Sequence, residues 1–268
     1  MTEDLSQFKA EETPPKPGVM INTFRAFGYD LRTAIADIVD NSISAGARSV
    51  WIDYNWEGPN YFIRIRDDGY GMSLPELVQA MTPGSRDPND ERDSKDLGRF
   101  GLGLKTASFS QCKQLTVITR RSGHNQIYRC WDLDHVNEAG TWSLLKYNPD
   151  PASAELIGEQ GTIILWRKLD RLIKAPLESD ETARKAYFDE LEQVRKHLSL
   201  VFHRYMERGE LSLHMGGNKL APWDPFMKGR PGVQIVGEES LDAGRITVKC
   251  YTMPHITHIS AAERMDAR

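Results

Sequence analysis

Apolar and polar positions along the chain recur with two periods, and these divide it into elements. From Asp30 to Ala45, Leu31, Ile35, Ile38 and Ser42 return at helical spacing, and Gly46 supplies a stop, so an amphipathic helix is predicted there. Arg48–Tyr54 reads as a strand. Tyr61–Asp67 reads as a better one, because Tyr61, Ile63 and Ile65 alternate with Phe62, Arg64 and Arg66. Short helices are predicted at Leu74–Met81 and Leu104–Gln111. Further strands are predicted at Gln114–Arg120, Gln126–Asp132, Thr141–Tyr147 and Thr162–Arg167. Residues 180–206 form one long amphipathic pattern, with Tyr187, Leu191, Val194, Leu198, Val201 and Tyr205 along its stripe. Short strands follow near Leu211–His214 and Ile246–Tyr251. There is no internal repeat.

Two stretches break the pattern. Residues 1–17 are polar and end in Pro14, Pro15 and Pro17, which predicts a flexible arm. Thr82 to Gly103 is charged, carries two prolines, ends in Gly98, Gly101 and Gly103, and has no apolar period. A loop of about twenty residues inside a compact domain is usually a functional lid. The order of elements predicts an α/β (α+β) sandwich over residues 18–206, a mixed sheet with helices on one face. Residues 207–268 read as the start of a second α/β domain, cut short at Arg268.

Composition narrows the setting. The formal net charge is −4, so no strong global field would hold DNA or an anionic membrane. Cys112, Cys130 and Cys250 are far apart with no CxxC pair, which argues against a disulfide framework or a zinc site and for a reducing cytoplasm. The N-terminus is polar and acidic rather than a signal peptide, and no apolar run approaches the roughly 20 residues that span a bilayer. His255 and His258 have a metal-like spacing without acidic or cysteine partners nearby, and read as a solvated loop.

Four segments carry chemistry. The first is DLRTAIADIVDNSISAGA, whose polar face holds Thr33, Asp37, Asn41 and Ser44. Asp37 and Asn41 project side by side at i, i+4. An amide oxygen suits Mg²⁺, and an adjacent carboxylate can orient or deprotonate water. Taken alone, the same pattern fits a solvated polar face. The second is IRIRDDGYGM. Period-two geometry points Asp67 to the same face as Ile63 and Ile65, and a buried carboxylate needs a hydrogen-bond donor such as an adenine amino group. Gly69 and Gly71 leave room for a flat base; a plain Asp-Gly turn is the simpler alternative. The third is GRFGLGLKTASFS. Glycines ahead of a helix N-terminus free backbone N–H groups for phosphates, and Lys105 adds positive charge. It is neither a P-loop, since Leu104 precedes Lys105–Thr106, nor a dinucleotide fingerprint, since no strand leads into it. The fourth is EQGTIILWRKL, where the hydroxyl of Thr162 in a buried strand needs a partner and could share the network of Asp67; taken alone, an ordinary strand threonine is the simpler alternative.

Together, in this order, the segments resemble the GHKL (Bergerat-fold) superfamily over residues from about 25 to 167. DIVDNSISAGA is similar to its N-box, DDGYGM to its G1 box, GRFGLGLKTAS to its G2 box, and Gly161–Thr162 to its late threonine. The resemblance implies bound ATP and Mg²⁺. Asn41 would coordinate the metal. Asp67 would bind the adenine amino group with Thr162 in its network, and Gly69, Gly71 and Met72 would line the base pocket. Gly101, Leu102, Gly103, Leu104 and Lys105 would surround the phosphates. The superfamily's catalytic base is usually glutamate, and Asp37 stands in its place, one methylene shorter, which implies an ATPase of reduced rate. Ser44 replaces a usual aspartate. DNSISAGARSV is most similar to the MutL/MORC-like branch, which implies an ATP-gated clamp, an ATP-dependent homodimer, and a transducer domain after about residue 207. DNA or a protein would be its macromolecular partner, with prokaryotic antiviral defence as one setting, by analogy of fold alone. The alternatives are a nucleotide-binding module with little hydrolysis, a chaperone-like domain, and a histidine-kinase-like domain. The last lacks an upstream histidine, since the first is His124.

Overall fold

The computed structural model describes residues 11, 13, 15–26, 28–57, 61–84, 103–172 and 180–260. The expected arm lies largely outside them, and so do residues 85–102, which include most of the expected lid together with Gly101 and Leu102.

The first element is a helix that the hydrophobic pattern did not predict. Helix α1 (Pro17–Arg25) starts on a proline, which suits a first turn because its missing N–H would be unpaired there anyway. It buries Ile21 and Phe24. The arm expected through Pro17 therefore stops where this helix begins. Helix α2 (Leu31–Ser44) is capped by Asp30, whose carboxylate accepts from the Thr33 N–H at 2.8 Å. Strands β1 (Ser49–Tyr54) and β2 (Phe62–Asp67) follow. Helix α3 (Leu74–Met81) opens on a capping box of Ser73 and Glu76. Helix α4 (Gly103–Gln111) then leads through β3 (Gln114–Arg120) and β4 (Ile127–Asp132) to the short helices α5 (Leu133–Ala139) and α6 (Pro151–Ala154). Strand β5 (Gly161–Arg167) precedes α7 (Glu181–Val201), α8 (His203–Glu207), β6 (Ser212–Met215), β7 (Asn218–Lys219), β8 (Gln234–Leu241) and β9 (Ile246–Thr252).

Seven strands form one sheet in the order β4-β3-β5-β2-β1-β6-β7. All neighbours are antiparallel except β1 and β6, so the sheet is mixed. Its apolar face, with Ile63, Ile65, Val117, Ile164 and Trp166, packs against α1, α2, α4 and α7 in the principal core. The opposite face carries only a small cluster of Ile118, Ala154, Ile157 and Ile163 beside α6.

Three expectations need correction. The strand predicted at Thr141–Tyr147 is a single bridge, Leu145 to Cys130. Trp142 leaves the sheet to pack edge-on against Trp131 at 6.0 Å, and the chain then turns through Pro149 and Pro151. The long helix ends at Val201, and its stripe passes from Leu198 to Phe202 rather than to Val201. Phe202 is buried, while Val201 is 44% exposed. Four residues bring the helix back to the same face better than three at this point. The domain boundary expected after residue 206 falls inside the sheet, because β6 pairs with β1 and extends it. Beyond Leu220 the chain forms a separate hairpin of β8 and β9. Tyr251 of that hairpin lies against Phe226 at 4.9 Å. Among the described residues, no helix is long and apolar enough to cross a membrane.

One buried charge ties α1 to the centre of the fold. Arg25 donates to the carbonyls of Phe109 and Cys112, both at 2.9 Å, which are the carbonyls left over at the C-terminal end of α4. Its other nitrogen donates to both carboxylate oxygens of Asp170 at 2.7 Å. Truncation would leave buried carbonyls and one carboxylate without donors. Arg25→Ala is therefore expected to lower the unfolding free energy by about 3 kcal/mol. Urea denaturation checks this, and an unchanged midpoint would show that the guanidinium contributes little.

Candidate functional site

The core face of the sheet is apolar row by row until its last row. Across β2, β5 and β3, the register places Ile63, Trp166 and Leu115 in one row and Ile65, Ile164 and Val117 in the next. The row after that is Asp67, Thr162 and Thr119. Three polar side chains thus end three neighbouring strands on one side, all of them buried.

Asp67 is 7% exposed, and three donors reach its carboxylate. One oxygen accepts from the N–H groups of Gly69 at 2.9 Å and Thr162 at 3.2 Å, and the other accepts from the Ser42 hydroxyl at 3.0 Å. Burial nevertheless outweighs these bonds and pushes the carboxyl up to about 6. Asp68 points the other way, and one of its oxygens accepts from the Arg48 and Ser49 N–H groups. The Asp-Asp pair therefore splits its roles: the first acid faces the core, and the second closes the turn into β1.

The loop after β2 lies tight against its surroundings. A Cβ on Gly69 would stand 2.7 Å from the Ala45 carbonyl oxygen at the end of α2. Gly71 has φ +65, and a Cβ there would overlap the Arg120 carbonyl at the end of β3. Next in the chain, the Met72 N–H donates to the Thr119 hydroxyl at 2.9 Å. The Thr119 and Thr162 hydroxyl oxygens are 3.1 Å apart. Asp67, Gly69, Gly71, Met72 and Thr162 thus meet at one end of the sheet, joined by Ser42 and Thr119.

The polar face of α2 borders this end. Asp37 is partly buried, and burial raises its carboxyl above the ordinary aspartate range, an effect partly offset by a hydrogen bond from the Tyr29 phenol. That phenol also meets Thr106 in the first turn of α4. Asp40 is pushed up to about 6, first by burial and then by the neighbouring Asp37. Asn41, one residue on, is exposed. The Ser44 hydroxyl is enclosed with no hydrogen-bond partner among the described residues.

Helix α4, described from Gly103 onward, covers the helix predicted at Leu104–Gln111 and packs against α2. Leu104 is half-buried at its start. Lys105 is not turned outward. It is buried, and its ammonium donates to the Thr82 carbonyl at 2.9 Å, just past the end of α3. An open cavity of about 420 Å³, lined by Gly46, Arg48, Tyr205 and Glu210 among others, lies at the C-terminal end of α2 and contains none of these site residues.

Sequence reasoning missed Thr119, Ser42, Tyr29 and Asp40 as site residues. Thr119 had a usable signal. It ends β3 at period two from Leu115 and Val117, the same argument that singles out Asp67. Ser42 fell on the helical stripe and read as core, and its bond to Asp67 depends on how α2 lies across the sheet. Tyr29 precedes the helix cap and carries no local pattern.

No cluster of three or more His, Cys, Asp or Glu is placed to hold a metal among the described residues. A divalent cation here would have to be carried largely by its ligand's own oxygens. The exposed amide of Asn41 fits that arrangement, since Mg²⁺ is commonly held by one or two protein oxygens plus substrate phosphates. The buried end of the sheet is rich in acceptors, with the Asp67 carboxylate beside the Thr162 and Thr119 hydroxyls.

A family model described as histidine kinase-, DNA gyrase B-, and HSP90-like ATPase matches residues 29–162, half of the chain. The ATPase morc-1 of Caenorhabditis elegans is 36% identical over 91 residues, 34% of this chain and 10% of that protein. The DNA mismatch repair protein MutL of Pseudomonas fluorescens (strain SBW25) is 29% identical over 193 residues, 68% of this chain and 28% of that protein. The chaperone protein HtpG of Rickettsia canadensis (strain McKiel) is 27% identical over 109 residues, 37% of this chain and 17% of that protein. In each case the aligned part spans less than a third of the relative's length.

Proposed function

The chain belongs to the histidine kinase-, DNA gyrase B-, and HSP90-like ATPases, and from that premise we propose that it binds Mg-ATP at the end of the β2–β5–β3 row and hydrolyses it slowly. The observation that carries this reading is the Asp67 carboxylate. It is buried at an energetic cost, held by three donors, and followed in the chain by two glycines where no side chain fits. A fold keeps such a group charged and enclosed only where something offsets the desolvation. An adenine amino group is a donor of the right kind.

In this reading Asp67 and Thr162 hold the base, and Gly69, Gly71 and Met72 wall it. Asn41 holds Mg²⁺, which when bound neutralises phosphate charge. Gly101, Leu102, Gly103 and Leu104 supply the phosphate cradle. Lys105 joins them only by giving up the Thr82 carbonyl. Asp37 holds the attacking water and takes its proton. The likeness to MutL and morc-1 supports an ATP-gated switch that dimerises and acts on a macromolecule, with DNA as the first candidate and antiviral defence as one setting. Asp37 in the place of glutamate favours a second reading, a nucleotide-binding module without turnover.

Calorimetric titration with Mg-ATP, followed by a phosphate-release assay on the same sample, tests both. Micromolar to millimolar binding with slow release of phosphate supports the ATPase. Binding without release supports the module. A flat titration overturns the site.

A further inference from the structure

We infer that Thr119, which does not itself touch the base, sets the pocket's choice between an amino-bearing and an oxo-bearing purine by fixing the direction of the Thr162 hydroxyl. The inference rests on the nucleotide site proposed above and goes beyond it to base selectivity.

The argument is an accounting of protons. A threonine hydroxyl has one proton to donate and two lone pairs that accept. The Thr119 oxygen has three neighbours: the Gly161 carbonyl at 3.0 Å, the Met72 N–H at 2.9 Å and the Thr162 hydroxyl oxygen at 3.1 Å. The carbonyl can only accept, so the Thr119 proton goes to it. The Met72 N–H can only donate, so it takes one lone pair of Thr119. The remaining lone pair is satisfied if Thr162 donates. Thr119 is fully buried, so each unmade bond would carry a desolvation penalty. All three contacts are made at once in only this orientation.

The consequence falls on Thr162. Its proton is committed to Thr119, and it has acceptor capacity left and nothing to donate. It stands in register beside Asp67, whose ionised carboxylate also only accepts. This corner of the pocket is therefore acceptor-only. An exocyclic amino group finds partners there. An oxo group at the same ring position meets lone pairs, and a site built for one hydrogen-bonding sense strongly rejects a ligand lacking it. Thr119 is thus a positioning residue that confers selectivity through its neighbour.

The test compares ATP with inosine 5′-triphosphate, which carries oxygen in place of the amino group, by calorimetric titration of the whole chain with Mg²⁺ present. Wild type is expected to favour ATP by about 100-fold or more. Thr119→Val removes the acceptor for Thr162, the acceptor for the Met72 N–H and the donor to Gly161. The Thr162 proton is then free to turn toward the ligand. The ratio should shrink by about tenfold, with inosine triphosphate binding tighter than in wild type. Thr119→Ser should retain the wild-type ratio. A role in packing alone would weaken both nucleotides together, so a parallel loss, or an unchanged ratio, overturns the assignment. If Thr119→Val does not give a cooperative thermal transition, Thr119→Ala carries the same expectation. Failure of wild type to bind either nucleotide would be a different result. It refutes the nucleotide site and takes the Thr119 assignment with it.

Discussion

Asp67→Asn is expected to abolish ATP binding and to make the nucleotide-free protein more stable. The two halves of this result have one cause. In wild type the carboxylate is buried, and its pKa stands at about 6 against an ordinary 3.8. Because the folded-state value is the higher one, the folded protein binds the proton more tightly than the unfolded chain. Stability from this group is fully present below about 4 and is lost as pH rises through 6. At pH 7.5 the charged form is a net liability, about 3 kcal/mol. Asparagine removes that liability and can still be satisfied. Its carbonyl oxygen can accept from the Gly69 and Thr162 N–H groups, and its amide can donate to Ser42, whose one proton, given to Asp67 in wild type, can turn to the Ile38 carbonyl at 3.2 Å. The same amide, turned toward the base, sets donor against donor. Affinity for Mg-ATP should fall by about a thousandfold or more. Denaturant titrations at pH 7.5 and pH 4 separate the terms. The variant should be the more stable at the higher pH and level with wild type at the lower. A variant that binds ATP normally, or one less stable than wild type at pH 7.5, contradicts the base-pocket assignment.

What was legible in the sequence follows from how local each signal is. The helix carrying Asp37 and Asn41, the inward turn of Asp67 and a helix over Leu104–Gln111 depend on signals read within a few residues, and the structure has each of them. Asp67 could be picked out because its strand alternates cleanly up to it. What could not be read was which strand lies beside which. The sheet brings Thr162 next to Asp67 across 95 residues of chain, and Thr119 next to Thr162 across 43. No local pattern encodes that adjacency. The break at Phe202 was missed because Val201 and Phe202 both fit a helical stripe, and only packing chooses between them. The domain boundary was misplaced because β6 reads as a new beginning, while its partner β1 lies far back in the chain. Helix α1 was obscured by prolines that mark a turn in one context and a first helical position in another.

The second large effect is expected at Asp37. Asp37→Asn should leave the affinity for Mg-ATP within about threefold of wild type while lowering turnover by at least about a hundredfold. Asp37 stands five residues from Ser42, about 140° around α2, and its hydrogen bond is to Tyr29 rather than to Asp67, so the base pocket should be left intact. Its raised pKa suits a base, since a carboxylate that holds a proton more tightly takes one from water more readily. The Tyr29 phenol fixes it from one side and reaches Thr106 in the first turn of α4, so the short carboxylate is braced against the helix that begins the phosphate cradle. Because only the ionised form can accept a proton, turnover in wild type should fall as pH drops through the raised Asp37 value. That acid limb should therefore lie above the range of an ordinary aspartate. In the variant the residual rate should lose the limb. Single-turnover phosphate release between pH 4.5 and 8, with affinity measured in parallel, gives both quantities. Equal rates in the two proteins across that range would mean that water alone, or another group such as Asp40, takes the proton. A large loss of affinity would instead place Asp37 in the binding of the nucleotide rather than in its hydrolysis.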